Sequence, residues 1–247
     1  MIPGGKSFCT RHYKKVTHCL FDLDGTLLDS EVMYHTMIGQ ICEKYGKSYS
    51  KDNAVQIFGM TDREVSEEVC ARTRLPLSVD EFERQLLDLA RNKLPIAPEK
   101  PGADRLLTHL FDYKVPMALA TNSTEQSVRL VSIARPKLFG MFNHMWTAAS
   151  RTRTSTSWRR VASRTNPSPH NASCSKTPRW ACRLQSRLAC SGWCLQVVMV
   201  PDPRLGRERT RQATLVLRSL RDFKPELFGL PPFNEAPPST TVPIHHS

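Results

Sequence analysis

A chain of 247 residues, 40% apolar and 23% charged, can bury one sizeable core with room for an insert, and its composition excludes collagen, a disordered tail protein and a membrane bundle. The formal net charge of +12 raises nucleic-acid binding, yet Trp146 to Leu195 holds nine Lys or Arg and no acid, while the rest of the chain carries 26 basic against 23 acidic residues. No window approaches the roughly 18 consecutive apolar residues of a membrane span, and the N-terminus lacks a secretory apolar run, so the expected compartment is the cytosol with Cys9, Cys19, Cys42 and Cys70 as reduced thiols.

Val16 to Phe21 is a short apolar run that ends in Asp22-Leu23-Asp24-Gly25-Thr26, which predicts a buried strand delivering two carboxylates to its C-terminal edge. Met33, Met37, Ile38, Ile41 and Tyr45 recur at helical spacing. Thr61-x-x-Glu64 and Ser78-x-x-Glu81 are capping-box openings of two further helices, so residues from about 30 to 100 are expected to be helical. Pro101-Gly102 breaks the chain before an amphipathic stretch with Leu106, Leu107, Leu110 and Phe111. Val115 to Ala120 is a second apolar run, ending at Thr121-Asn122-Ser123. Gln196 to Val200 predicts a third strand and Thr210 to Phe223 a helix carrying Leu215, Leu217 and Leu220. A Pro-rich tail, expected to be loose, follows.

Strands alternating with helices predict an α/β fold: a three-layer, Rossmann-like parallel sheet with a helical cap inserted after the first strand. The core is expected to comprise residues 14–29 and 101–230, the cap 30–100 and the tail 231–247, with 146–195 an anomalous stretch and a candidate for disorder. Ligands of such sheets bind at strand C-termini. Two carboxylates one residue apart on an extended chain face opposite sides unless the chain turns between them, and Gly25 makes that turn easy. Both then address one phosphoryl group, one Asp as nucleophile and the other as proton donor, with Mg²⁺ balancing the charge. The alternative is a solvated Asp pair in a strand-to-helix turn, for which Asp-Gly is a common signal.

Phe-Asp-Leu-Asp-Gly-Thr-Leu-Leu-Asp-Ser-Glu, residues 21–31, resembles the first motif of the haloacid dehalogenase superfamily, and Ala118-Leu119-Ala120-Thr121-Asn122-Ser123 resembles its second. The resemblance implies Asp22 as nucleophile, Asp24 as acid/base and Thr121 as a catalytic hydroxyl. It further implies Gly25, Thr26, Thr121 and Asn122 around the substrate phosphate, and Asp22 and Asp24 on Mg²⁺. The implied activity is hydrolysis of a small phosphorylated metabolite, a nucleotide or sugar phosphate, by a monomeric enzyme with no membrane partner. Gly59-Met60-Thr61, Pro101-Gly102-Ala103, Val197 to Asp202 and Asp222 to Pro231 are similar to the GS1-like branch, which includes pseudouridine-5'-phosphatases. The resemblance spans roughly 14–145 and 196–231.

Between those spans the family carries a Lys, usually in Gly-Lys-Pro-x-Pro-Asp, and an acidic pair that completes the metal site. No carboxylate lies between Glu125 and Asp202, a run of 76 residues. A reading frame displaced by one base accounts for this. The run around Ala149 to Arg159 accommodates Gly-Lys-Pro-His-Pro-Asp-Ile-Tyr-Leu-Val-Ala in the displaced frame, and that around Ser173 to Cys182 accommodates Leu-Val-Phe-Glu-Asp-Ala-Pro-Leu-Gly-Val. Trp has a single codon, so Trp180 followed by Ala181 forces the Gly that the second motif needs. The chain is therefore expected to be impaired and to fold poorly, because Ala172 to Thr177 is too polar for a strand covered on both faces. Two alternatives compete. One is a basic, Trp-bearing segment that binds RNA or another polyanion on a non-catalytic platform, although no RNA-binding motif accompanies it. The other is a zinc site, for which Cys174, Cys182, Cys190, Cys194 and His170 lack paired knuckle spacing.

Overall fold

The computed structural model of the chain describes residues 13–147, 172–175, 195–211 and 213–233. Among them, strands β1 (His18–Phe21), β2 (Met117–Ala120), β3 (His144–Trp146), β4 (Ala172–Ser175), β5 (Leu195–Met199) and β6 (Leu215–Val216) form one sheet in the order β3-β2-β1-β4-β5-β6. Every neighbouring pair is parallel. The chain runs outward from β1 through β2 to β3, then crosses to β4 on the other side of β1. The order thus reverses at β1, and a crevice opens beyond its C-terminal end. This is the α/β architecture that the alternating runs predict.

Burial explains why these segments are strands. All four residues of β2 are buried, as a parallel strand covered on both faces requires. Leu107, Leu110 and Leu119 are exposed by no more than 1%, and each such side chain contributes about 2 kcal/mol when removed from water. Cys19 and Cys42 are buried free thiols, and burial pushes the Cys19 thiol up to about 12, so it stays protonated.

Residues 30–96 fold as α1 (Ser30–Lys44), α2 (Lys51–Gln56), α3 (Asp62–Thr73), α4 (Val79–Lys93) and a 3₁₀ turn (Leu94–Ile96). Thr61 closes a full capping box with Glu64, whereas Ser78 caps α4 through the Glu81 N–H. The two chain segments joining this helical region to the sheet hold each other. Asp29 N–H donates to Pro98 O at 2.7 Å, Lys100 N–H to Leu27 O at 2.8 Å, and Lys100 Nζ pairs with Asp29 at 3.2 Å.

Helix α5 (Ala103–Asp112) buries Leu106, Leu107 and Leu110 and leaves Phe111 at its edge. It starts at Gly102, whose φ of 93° is left-handed and whose Cβ would lie 2.5 Å from Arg221 N and 2.8 Å from Leu220 C. Both contacts are backbone, so nothing can swing aside. Gly102→Ala is expected to cost about 2 to 4 kcal/mol from strain and overpacking together, read as a lowered urea midpoint at unchanged slope.

Three expectations change. Thr210 to Phe223 is not a helix: a 3₁₀ turn (Arg207–Thr210), strand β6 and a second 3₁₀ turn (Leu220–Asp222) occupy it. Thr214 N–H donates to Val197 O and Leu217 N–H to Met199 O, both at 2.8 Å, so the open edge of β5 overrides helical spacing. The segment Ala172–Ser175 is not excluded from the sheet. It fills the slot between β1 and β5, with Leu20 opposite Cys174 and Cys174 opposite Val197. Strand pairing is made by backbone groups, and an empty slot would strand the N–H and C=O groups of both neighbours. Elements unforeseen between Ser123 and Trp146 are α6 (Glu125–Ala134), α7 (Pro136–Gly140) and β3. The remaining anomalous residues, 148–171 and 176–194, and the tail beyond 233 lie outside the described residues.

Candidate active site

Strand β1 ends at the reversal point, and Asp22 follows it directly. The parallel register sets Phe21 opposite Leu119, so residues 22–24 stand beside 120–122. Asp22 is buried, and its Oδ1 accepts the Leu23 N–H at 3.0 Å. Gly25 takes φ 65°, the left-handed turn that the Asp-Gly pair predicts. The loop then closes on itself: Gly25 N–H donates to Leu28 O at 2.7 Å, and Leu27 and Leu28 N–H donate to Leu23 O at 3.0 and 3.1 Å. Apolar Leu23, Leu27 and Leu28, almost wholly buried, pin this loop from beneath.

Asp24 is the hub. Its Oδ1 accepts from Ser30 Oγ at 2.6 Å, and its Oδ2 accepts from Thr121 Oγ1 at 3.1 Å and Ser123 Oγ at 2.5 Å. Ser30 opens α1, while Thr121 and Ser123 follow β2. One carboxylate therefore ties three elements together. Hydroxyl donors on both oxygens suit the ionised form. Because a hydroxyl also accepts, rotation of one of them accommodates a proton on Asp24.

The helical region reaches this hub. Asn122 Nδ2 donates to Gly59 O at 2.7 Å. Asp62, first residue of α3, accepts at Oδ2 from Thr124 N–H at 3.2 Å and Ser127 Oγ at 3.3 Å, and at Oδ1 from Tyr34 Oη at 3.4 Å. Burial pushes the Asp62 carboxyl above its usual range, the nearby Asp24 charge adds to this, and hydrogen bonds from Thr124 and Ser127 oppose it. The Tyr34 phenol is pushed well up by burial, then by Asp62 and Asp24.

Of the residues singled out by sequence, Asp24 and Thr121 touch, and Asp22 and Gly25 share their loop. Asn122 lies beside them, its amide turned toward Gly59. Among the described residues, Thr26 Oγ1 and Asn122 Oδ1 are buried with no hydrogen-bond partner. Ser30, Ser123, Tyr34 and Asp62 were not singled out. Ser30 and Ser123 sit inside the two motifs and carried a signal there. Asp62 sits inside the Thr61 capping box, which explains an acid at that position without reference to a site.

A magnesium ion fits these residues only in part. Asp22 offers a buried carboxylate, but both Asp24 oxygens are taken by hydroxyls. Among the described residues no three His, Cys, Asp or Glu side chains group around one point. The two residues after β4 are Lys176 and Thr177, not carboxylates. The described residues do not complete a Mg²⁺ shell.

A parallel sheet with two carboxylates and a hydroxyl cluster at its reversal point is the setting of an α/β protein whose candidate site lies at the strand C-termini. The family described as haloacid dehalogenase-like hydrolase matches residues 19–170, and the chain belongs to it; by family it is a phosphatase. The match runs past residue 145, where the motif-by-motif resemblance stops. A Drosophila melanogaster protein named "Probable pseudouridine-5'-phosphatase" is 38% identical over 231 residues, covering 90% of this chain and 97% of the relative. The Arabidopsis thaliana (DL)-glycerol-3-phosphatase 2 is 27% identical, covering 90% and 94%. The fold matches the crystal structure of CbbY from Rhodobacter sphaeroides in complex with phosphate, with a TM-score of 0.66 at 15% identity, covering 84% of this chain and 96% of that one. Among the described residues no helix is long and apolar enough to cross a membrane.

Proposed function

We propose that the chain is built to hydrolyse a small phosphomonoester through an aspartyl-phosphate on Asp22, and that residues 146–195 leave it impaired. The observation that carries the reading is Asp24, held by Thr121, Ser123 and Ser30 two residues beyond a buried Asp22 at the sheet's reversal point. An Asp22 carboxylate oxygen attacks phosphorus in line, the bond from phosphorus to the alkoxide oxygen breaks, and Asp24 delivers its proton to that oxygen. Water then attacks phosphorus, Asp24 takes its proton, and phosphate leaves with Asp22 restored. Thr121, Asn122 and Thr26 surround the phosphoryl group, with residues 30–100 as the cap that selects the rest of the substrate. Relatives named for pseudouridine 5'-phosphate and glycerol 3-phosphate support a nucleotide or sugar phosphate.

Mg²⁺ bound at Asp22 would neutralise charge on the phosphoryl group, but the described residues do not complete its site. The sequence of 146–195 also lacks the family's Gly-Lys-Pro motif and acidic pair. Strand β4 occupies the slot beside β1, and the displaced frame reads Glu-Asp immediately after it. That adjacency to β1 supports the displaced-frame reading of the residues that follow. The test is a panel of phosphomonoesters presented to this chain and to a counterpart carrying the displaced-frame reading of 146–195. Hydrolysis by the counterpart supports the reading. A counterpart that ignores every phosphomonoester yet acts on a halide or phosphonate contradicts it.

A further inference from the structure

Asp62 lies in the helical region, and one of its carboxylate oxygens reaches across to the sheet domain. Both carboxylate oxygens accept from groups outside its own helix: Thr124 N–H and Ser127 Oγ on the first turn of α6, and Tyr34 Oη on α1. Its neighbour Arg63 turns the other way, to Asp80 and Glu83 of α4. The segment that Asp62 grips is the one that serves Asp24. Thr121 and Ser123 donate to Asp24, Ser123 N–H donates to Thr121 Oγ1 at 3.1 Å, and Thr124 is the next residue and the cap of α6. Tyr34 adds a second route, since its hydroxyl faces Ser123 and Ser127 as well as Asp62. Asn122, bonded to Gly59 O, pins the same loop from its middle.

We infer that Asp62 is a positioning residue: by docking on the start of α6 it fixes the Thr121 to Thr124 loop, and through that loop the hydroxyls that orient Asp24. The assignment rests on the reading of Asp24 as the acid/base. When the cap leaves the sheet, Thr124 N–H and Ser127 Oγ lose their acceptor and the loop is released, so the acid/base is ordered only when the cap is docked.

Asp62 does this as an acceptor and not as an ion. Among the described residues the titratable groups facing it are Tyr34 on α1 and Asp24 beyond β1, and neither is a cation. Its carboxyl is raised by burial and by the Asp24 charge. A raised carboxyl favours docking at acid pH and weakens it as pH climbs through the raised value, so its charge opposes docking. Asp62→Asn keeps an oxygen for Thr124 and Ser127 and offers its NH₂ to Tyr34 Oη, whereas Asp62→Ala removes every acceptor.

Amide hydrogen exchange on the full chain and both variants at neutral pH, without ligand, separates these roles. In Asp62→Ala, exchange across 121–127 and 57–62 is expected to rise about ten- to hundredfold, the consequence of orphaned donors, while α5 is unchanged. In Asp62→Asn it stays at or below the parent rate, a rescue that a role for charge does not allow. Three results overturn the inference: unchanged exchange at 121–127 in Asp62→Ala, equal exposure in both variants, or a rise that includes α5. Because no substrate is present, a chain that hydrolyses nothing still tests Asp62, and the phosphatase reading fails or stands on its own panel.

Discussion

Restoring the displaced frame across residues 146–195 raises phosphomonoester hydrolysis by at least about 10²-fold and by up to about 10⁶-fold. The estimate follows from two losses. The motif Lys would set a fixed cation beside a phosphoryl group on Asp22, and each preorganised electrostatic contact of that kind carries on the order of 10² to 10³ in rate. Without the acidic pair after β4, the metal shell stays incomplete, because Asp24 is committed to Ser30, Thr121 and Ser123. The two losses act on the same transition-state charge, so their product, about 10⁴ to 10⁶, is an upper range and a single loss, about 10² to 10³, the floor. The rest of the site needs no repair, since Asp22, Asp24 and Thr121 are already assembled at the reversal of the sheet. Steady-state rates of the two chains with Mg²⁺ check this; rates within tenfold of each other contradict it.

In the restored chain, Asp24→Asn lowers kcat by about 10² to 10⁴, the usual worth of a positioned acid/base, with the fold retained. The side chain changes by one atom, yet the surroundings are arranged for a carboxylate. An Asn offers one oxygen and one NH₂, while hydroxyls address both Asp24 oxygens. Either Ser30 or the Thr121 and Ser123 pair must turn from donor to acceptor, which hydroxyls do at small cost. Chemistry is thus expected to fall far more than stability, with urea midpoints moving by no more than about 1 kcal/mol equivalent. A kcat loss below tenfold would remove Asp24 from proton transfer.

Much of this was readable in the residues. The largely apolar run from Val16 to Phe21 ending in Asp22-Leu23-Asp24-Gly25 predicted both the central strand and the carboxylates at its end, because a strand covered on both faces is mostly apolar until it reaches the sheet's edge. The capping-box sequences at Thr61 and Ser78 marked where α3 and α4 begin, although only Thr61 closes the box with its Glu. What escaped was decided by partners far along the chain. Leu215 and Leu217 carry no local mark of an edge strand; the unpaired edge of β5 makes them one. Ala172–Ser175 looks too polar for a covered strand, and its place is set by β1 and β5 on either side. Asp62 was hidden because a capping box already accounts for polar residues in the first helical turn. Its contacts with Thr124, Ser127 and Tyr34 link residues up to 65 positions apart.

The most direct measurement compares the chain as it stands with Asp22→Asn, both with Mg²⁺ and a small phosphomonoester in excess. If residues 146–195 have displaced the Lys and the acidic pair, the two proteins hydrolyse it at the same rate, close to that of buffer alone. If instead the chain turns over the phosphomonoester and Asp22→Asn abolishes the turnover, the account of residues 146–195 is contradicted, and that stretch supplies the missing catalytic groups.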